Sequence, residues 1–130
     1  MNILLDTHAL LWFSAAPEKL SALACDLLLN KDNRLWVSVV NARELQIKTQ
    51  LGKLHLDTPS ATLLDMKQQK NRIALLGLKL PHIYALDTLA AHHRDPFDRL
   101  LIAQARAEGY HLMSADQLVR LYRDDIEILW

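Results

Sequence analysis

The 130-residue chain sets 15 Lys plus Arg against 15 Asp plus Glu, a formal charge of zero at pH 7. Hydrophobic residues make up 51% and charged residues 23%, a balance that excludes a disordered tail and suits one globular domain spanning residues 1–130. With no net basic field, a nucleic-acid partner has to be met by a local patch.

Cys25 is the only cysteine, so no internal disulfide and no CxxC redox or zinc motif is available, and reducing, cytoplasmic surroundings are expected. The N-terminal apolar stretch is cut by Asp6, Thr7 and His8, far short of the roughly 18 residues of a bilayer span. No positive segment precedes it, so neither a membrane span nor an export signal is expected.

In chain order, apolar runs of strand length fall at residues 2–5, 35–40, 73–76, 111–114 and 126–129. A helix is expected to start near His8, and another after Pro17 and Glu18, where Leu20, Leu23, Leu27 and Leu28 mark one apolar stripe. Residues 42–51 form a further helix closed by Gly52, residues 60–71 another carrying Leu63, Leu64 and Met66, and residues 81–92 one more. Residues 96–108 form the last, stopped by Gly109. Short strands alternating with helices predict an α/β fold with a central parallel sheet flanked by helices. In such sheets ligands gather beyond the carboxyl ends of the strands, so the polar residues placed there are the ones to examine.

Four carboxylates fall at such places. Asp6 directly follows the first run, where it or Thr7 also suits helix capping. Glu44 follows the second run; with Asn41 as N-cap it approximates a capping box, and Lys48 stands four residues on for an ion pair. Ile47 and Leu51 lie three and seven residues beyond Glu44, which turns the carboxylate inward. Asp95 before Pro96 is a strong helix start and is assigned to capping. Asp98, favoured by the helix dipole, shares a face with Leu101, Ile102 and Ala105. Asp116 follows the fourth run, where Ser114 and Gln117 have capping-box spacing.

Several carboxylates in one partly desolvated hollow repel, and a hard divalent cation relieves the repulsion. Such an ion acidifies water and neutralises charge on a phosphodiester, so Asp6, Glu44, Asp98 and Asp116 together point to metal-dependent phosphoryl hydrolysis. Arg43, Lys48, Arg94 and Arg99 are candidates for substrate phosphate contact, each with a solvated face or local ion pair as the plainer role. Thr7 and Ser114 are candidates to support the metal's surroundings. His92 and His93 make a poor zinc set and are read as surface residues. Histidine 8 suits helix packing or proton transfer, and Trp12, Trp36 and Trp130 suit core or interface packing.

At these positions the chain resembles the PIN-domain ribonucleases, specifically the VapC-type toxins of bacterial toxin–antitoxin operons. The likeness is carried by Leu4-Leu5-Asp6-Thr7-His8-Ala9-Leu10-Leu11-Trp12, by Ser38 with Glu44 and residues 48–54, and by Asp95-Pro96-Phe97-Asp98-Arg99-Leu100-Leu101-Ile102-Ala103-Gln104-Ala105. Residues 39–43, Val-Val-Asn-Ala-Arg, depart from the family pattern. The resemblance implies a PIN-like three-layer fold and metal positions matching Asp6, Glu44, Asp98 and a more variable Asp116. It also implies RNA cleavage dependent on Mg²⁺ or Mn²⁺, a homodimer, and inhibition by a cognate VapB-like antitoxin. Two other readings remain open on the residues alone. One is a different metal-dependent phosphoryl hydrolase, although position 8 is His where an Asp-x-Asp phosphatase has its second acid. The other is a noncatalytic protein-binding module whose acids are caps.

Overall fold

In the computed structural model, which describes residues 1–70 and 73–130, β1 (Asn2–Leu5) divides its side chains between two cores. Ile3 and Leu5 enter one, Leu4 the other, and all three are fully buried. That two-sided burial is what a central strand of a parallel sheet requires. β2 (Arg34–Ser38), β3 (Ala74–Leu76), β4 (His111–Met113) and β5 (Ile128–Leu129) complete a five-stranded sheet of order β3-β2-β1-β4-β5, every pair parallel. The register sets Leu4 beside Trp36 on one flank and Leu5 beside Met113 on the other.

Helices cover both faces. α1 (Thr7–Ala15) and α2 (Ala22–Leu29) bring Ala9, Leu10, Ala24 and Leu28 onto Ile3, Leu5, Leu35 and Val37. α6 (Pro96–Glu108) lays Leu101, Ile102 and Ala105 on Leu4 and Leu112. α3 (Val39–Gln50) touches both cores, through Leu45 on one side and Val40 on the other. α4 (Ser60–Lys70) and the short α5 (Leu80–Ala85) complete the set. The expected three-layer α/β architecture is observed. Among the described residues, no helix is long and apolar enough to cross a membrane.

Local chemistry explains the boundaries. Asp6 caps α1, its Oδ1 accepting the Ala9 N–H at 2.7 Å. Asp95 caps α6 by accepting from the Phe97 and Asp98 N–H groups at 2.9 and 3.1 Å, with Pro96 at the first helical position. Gly109, at φ 70°, closes that helix in the left-handed conformation an L side chain resists.

Several expectations shift. The second strand stops at Ser38, not residue 40, because Ser38 is the cap of α3 and Asn41 its N3 partner; Asn41 is therefore not the N-cap, nor Glu44 the N3 acid. The stripe after Pro17 buries Leu20, Ala24 and Leu28 but leaves Leu23 half exposed, since α2 begins only at Ala22 after a short 3₁₀ turn. The helix expected over residues 81–92 ends at Ala85 and a 3₁₀ turn, because the backbone of Ala90, His92 and His93 bonds to the Tyr122 phenol instead of to a helical ladder. Ser114 and Gln117 start no α-helix; a 3₁₀ turn over Val119–Tyr122 follows. The last strand is only Ile128–Leu129. Position 71, the expected end of the helix beginning at Ser60, lies outside the described residues.

Asn41 locks the β2–α3 junction to β1. Its Oδ1 accepts the Ser38 N–H at 2.7 Å, and its Nδ2 donates to the Leu5 carbonyl at 3.3 Å and the Thr7 hydroxyl at 3.1 Å, all fully buried. Asn41→Ala strands three buried polar groups and is expected to cost about 2–3 kcal/mol in urea unfolding at neutral pH. The exposed control Gln50→Ala is expected to stay within about 0.5 kcal/mol of the parent; an equally small effect of Asn41→Ala would reject the locking role.

Candidate functional site

β1 has β2 on one side and β4 on the other, and the chain departs in opposite directions across the sheet at this point. In parallel sheets the region beyond the carboxyl ends, where strand order reverses, is where ligands gather. Asp6 follows β1 and Ser114 follows β4, tied by the Asp6 N–H to the Met113 carbonyl at 3.1 Å. The amino ends of α1 and α6 face the same place, so their unpaired N–H groups and dipoles favour negative charge there.

Asp6 is 5% exposed, and its carboxyl is pushed from 3.8 up to about 6. Burial is the main cause and Asp98's charge adds to it; the Ser114 hydroxyl, the Ala9 N–H and the His8 charge pull the other way. Ser114 also accepts the Asp116 N–H at 3.1 Å, so one hydroxyl ties Asp6 to the Asp116 backbone.

Glu44 is buried on the face of α3 that carries Asn41. Its Oε1 accepts the Thr7 hydroxyl at 2.7 Å, and its Oε2 is paired with the Lys48 ammonium. Burial by itself would lower the Lys48 ammonium, but the bond and charge of Glu44, with the charges of Asp95 and Asp98, hold it above its ordinary value.

Asp98 stands in the first turn of α6, raised above the usual carboxylate range chiefly by burial and further by Asp95 and Glu44. His93 Nε2 lies 2.7 Å from its Oδ2 and opposes that rise. Because His93 Nδ1 accepts the Arg94 N–H at 3.1 Å, the ring proton belongs on Nε2 and is donated to Asp98. Asp116 is exposed and turns its Oδ1 to the Leu118 and Val119 N–H groups at 2.7 and 3.4 Å. His93, Asp98 and Asp116 each present a ligand atom, all within 4.8 Å of one another.

The structure thus gathers Asp6, Glu44, Asp98 and Asp116 at one end of the sheet. Thr7 faces the same cluster but commits its hydroxyl to Glu44 and Asn41. Of the basic candidates, Lys48 enters the cluster, whereas Arg43 is exposed and bonds Gln46 at 3.2 Å. Arg99 turns back to the Ala90 and His93 carbonyls and the Tyr122 phenol at 2.9, 3.2 and 3.1 Å. Arg94 is exposed.

Two residues escape the sequence reading. His93 is not a surface histidine; its side chain is 10% exposed and faces Asp98. The signal was present in the Asp95-Pro96 cap, which reverses the chain so that the residue two before the cap meets the third of the helix. Tyr122, fully buried, holds the loop that delivers His93: its hydroxyl donates to the Ala90 carbonyl at 2.6 Å and faces the His92 and His93 N–H groups. Nothing in the sequence near Tyr122 marks that role.

Chemically, the cluster offers carboxylate oxygens in excess of its cations, with one imidazole beside them. Two of its acids are held partly protonation-prone by burial, the condition a hard divalent cation relieves. Such a donor set suits a hard divalent cation, and the ligand atoms that lie closest together are those of His93, Asp98 and Asp116.

Comparison with known proteins follows the same lines. The sequence matches the PIN domain family over residues 3–123. It is 28% identical over 124 residues to Ribonuclease VapC22 of Mycobacterium tuberculosis (strain ATCC 25618 / H37Rv), covering 94% of this chain and 92% of that protein. Its fold is similar to a chain of VapBC2 from Rickettsia felis bound to a DNA fragment from their promoter, with TM-score 0.70, 16% identity and full coverage of both chains (100% and 100%). It is equally similar to a chain of VapBC-1 from nontypeable Haemophilus influenzae, with TM-score 0.70, 16% identity and coverage of 98% and 96%. FitAcB from Neisseria gonorrhoeae matches at TM-score 0.61 with 17% identity, covering 97% and 95%.

The raised Asp6 carboxyl has a measurable consequence. Between 3.8 and about 6 the folded chain binds this proton more tightly than the unfolded chain, so Asp6 costs stability as pH rises through that window, and the cost is complete above it. Asp6→Asn keeps an oxygen to cap α1 and removes the charge. In EDTA it is expected to gain stability over the parent at pH 7.5 by about 2–3 kcal/mol more than at pH 4, by urea unfolding. Equal effects at the two pH values would show that Asp6 is not held against its own burial.

Proposed function

The chain belongs to the PIN-domain family, and from that premise we propose that it is a divalent-metal-dependent endoribonuclease, the toxin of a toxin–antitoxin pair. The observation that carries the reading is the convergence of Asp6, Glu44, Asp98 and Asp116 at the strand-order reversal, with the first and third raised by burial. The name of the mycobacterial relative, a ribonuclease, supports RNA as the substrate. The likeness of the fold to chains of two VapBC structures supports a VapB-like antitoxin as the partner.

In this reading Asp6, Asp98 and Asp116 would hold Mg²⁺ or Mn²⁺, and Glu44 acts beside them. A bound divalent ion supplies Lewis acidity, making water a stronger acid and offsetting charge on a phosphodiester. The chain's own residues do the rest. His93 donates from Nε2 to Asp98 and fixes the orientation of that carboxylate. Ser114 ties Asp6 to the Asp116 turn, so the two acids cannot drift apart independently. Thr7 and Lys48 hold both oxygens of Glu44. The amino ends of α1 and α6 supply positive potential for an incoming phosphate. Arg43 and Arg94, exposed beside the acids, serve as phosphate contacts, with Lys48 supplying a fixed positive charge inside the site. Arg99 shapes the loop around His93.

Residues 1–130 act as a single catalytic unit, working as a homodimer in the cytoplasm. A small basic segment of the antitoxin answers the excess of negative charge at the centre.

Purified protein incubated with total cellular RNA is expected to produce new, mapped ends with Mg²⁺ or Mn²⁺ and none with EDTA. Asp98→Asn is expected to lower the cleavage rate at least about 10²-fold while leaving the unfolding midpoint within a few degrees. Full cleavage by that variant, or cleavage unaffected by EDTA, would reject the reading. Absence of cleavage together with absence of saturable Mn²⁺ binding would leave the acids as helix caps of a binding module.

A further inference from the structure

Lys48 lies inside the cluster, one helical turn beyond Glu44. Its side chain is 30% exposed and that of Glu44 only 3%, so the pair is largely shielded from solvent. The ammonium takes Glu44 Oε2, and the Thr7 hydroxyl takes Oε1. Thr7 is itself held by Asn41, which is anchored to the Leu5 carbonyl and the Ser38 N–H. Both oxygens of Glu44 are thus committed to rigid partners. The same ammonium feels the charges of Asp95 and Asp98.

Among the described residues, Asp6, Asp98 and Asp116 have no Lys or Arg ion pair, and Asp98 and Asp116 offer ligand atoms within 4.8 Å of one another and of His93. An ion drawing on Glu44 would have to displace an ammonium from a partly desolvated carboxylate, which is costlier than breaking an exposed pair. It would also face repulsion from that ammonium.

Resting on the metal-dependent reading above, we propose that Lys48 is the second cation of this centre. Its ammonium takes the Glu44 side, so the protein binds a single divalent ion through the Asp6, Asp98 and Asp116 side. Glu44 is a positioning residue and not a ligand. The consequence is a centre in which one fixed and one exchangeable positive charge flank the substrate phosphate.

The test is the stoichiometry of Mn²⁺ on the full-length metal-free protein at pH 7.5, by calorimetric titration, with the electron paramagnetic resonance spectrum of the bound ion. The parent is expected to take one equivalent with an uncoupled spectrum. Lys48→Met is expected to take a second, weaker equivalent, with the spectrum broadened by coupling between neighbouring ions. The double variant Lys48→Met with Glu44→Gln is expected to return to one, and Lys48→Arg to stay at one. Should Lys48→Met fail to fold by circular dichroism, Lys48→Gln supplies the same readout. Two equivalents in the parent, or one in both the parent and the neutralised variant, would overturn this inference while leaving the metal-dependent reading standing. No saturable binding in either would overturn that reading as well.

Discussion

Crowding of negative charge at the mouth of the sheet is the constraint on which the rest of this structure turns. Parallel pairing of β1 with both β2 and β4 brings the carboxyl ends of central strands side by side, and each is followed by a residue that must turn the chain into a helix or loop. Oxygen-bearing side chains suit that task because they accept from unpaired backbone N–H groups. Asp6 does so for Ala9, Asp95 for Phe97 and Asp98, and Asp116 for Leu118. The same side chains that end the strands therefore load the crevice with charge. The folding requirement and the proposed reactive centre draw on the same side chains.

That arrangement persists because the surroundings are overdetermined. Asn41 fastens the start of α3 to β1, Thr7 fastens Glu44, and Ser114 fastens Asp6 to the turn bearing Asp116. On the opposite side, Tyr122 and Arg99 gather the backbone of residues 90–93 and so fix where His93 meets Asp98. Each is a buried or half-buried polar group whose partner would otherwise go unsatisfied, the kind of network whose value lies in being complete. Charge is offset unevenly within it. Lys48 answers Glu44, His93 answers Asp98 from Nε2, and Asp6, the most deeply buried of the aspartates, is pushed up chiefly by that burial, which the Ser114 hydroxyl, the Ala9 N–H and His8 only partly offset.

A chain with no net charge thus holds a strongly polarised site. Long-range attraction cannot select its partners, so recognition has to come from the crevice and its rim. In the proposed reading a phosphate would meet the amino ends of two helices and the Lys48 ammonium, while a cation would meet the Asp98 and Asp116 carboxylates.

Much of this was legible in the linear sequence, and the reason is range. The apolar run around Leu4, the Asp95-Pro96 start and the Gly109 stop of α6 are decided by neighbours within a turn or two, as is the pairing of Lys48 with Glu44 four residues away. Those short-range preferences, together with acids recurring after apolar runs, determined the α/β architecture and named the carboxylates. The tertiary structure alone decided how the acids are used. Thr7 meets Glu44 across 37 positions, His92 meets Tyr122 across 30, and Ser38 took the capping role the sequence assigned to Asn41 because Asn41 was needed by β1. Such contacts depend on where the sheet brings distant segments together and on which buried polar groups still lack a partner, and no local pattern encodes either.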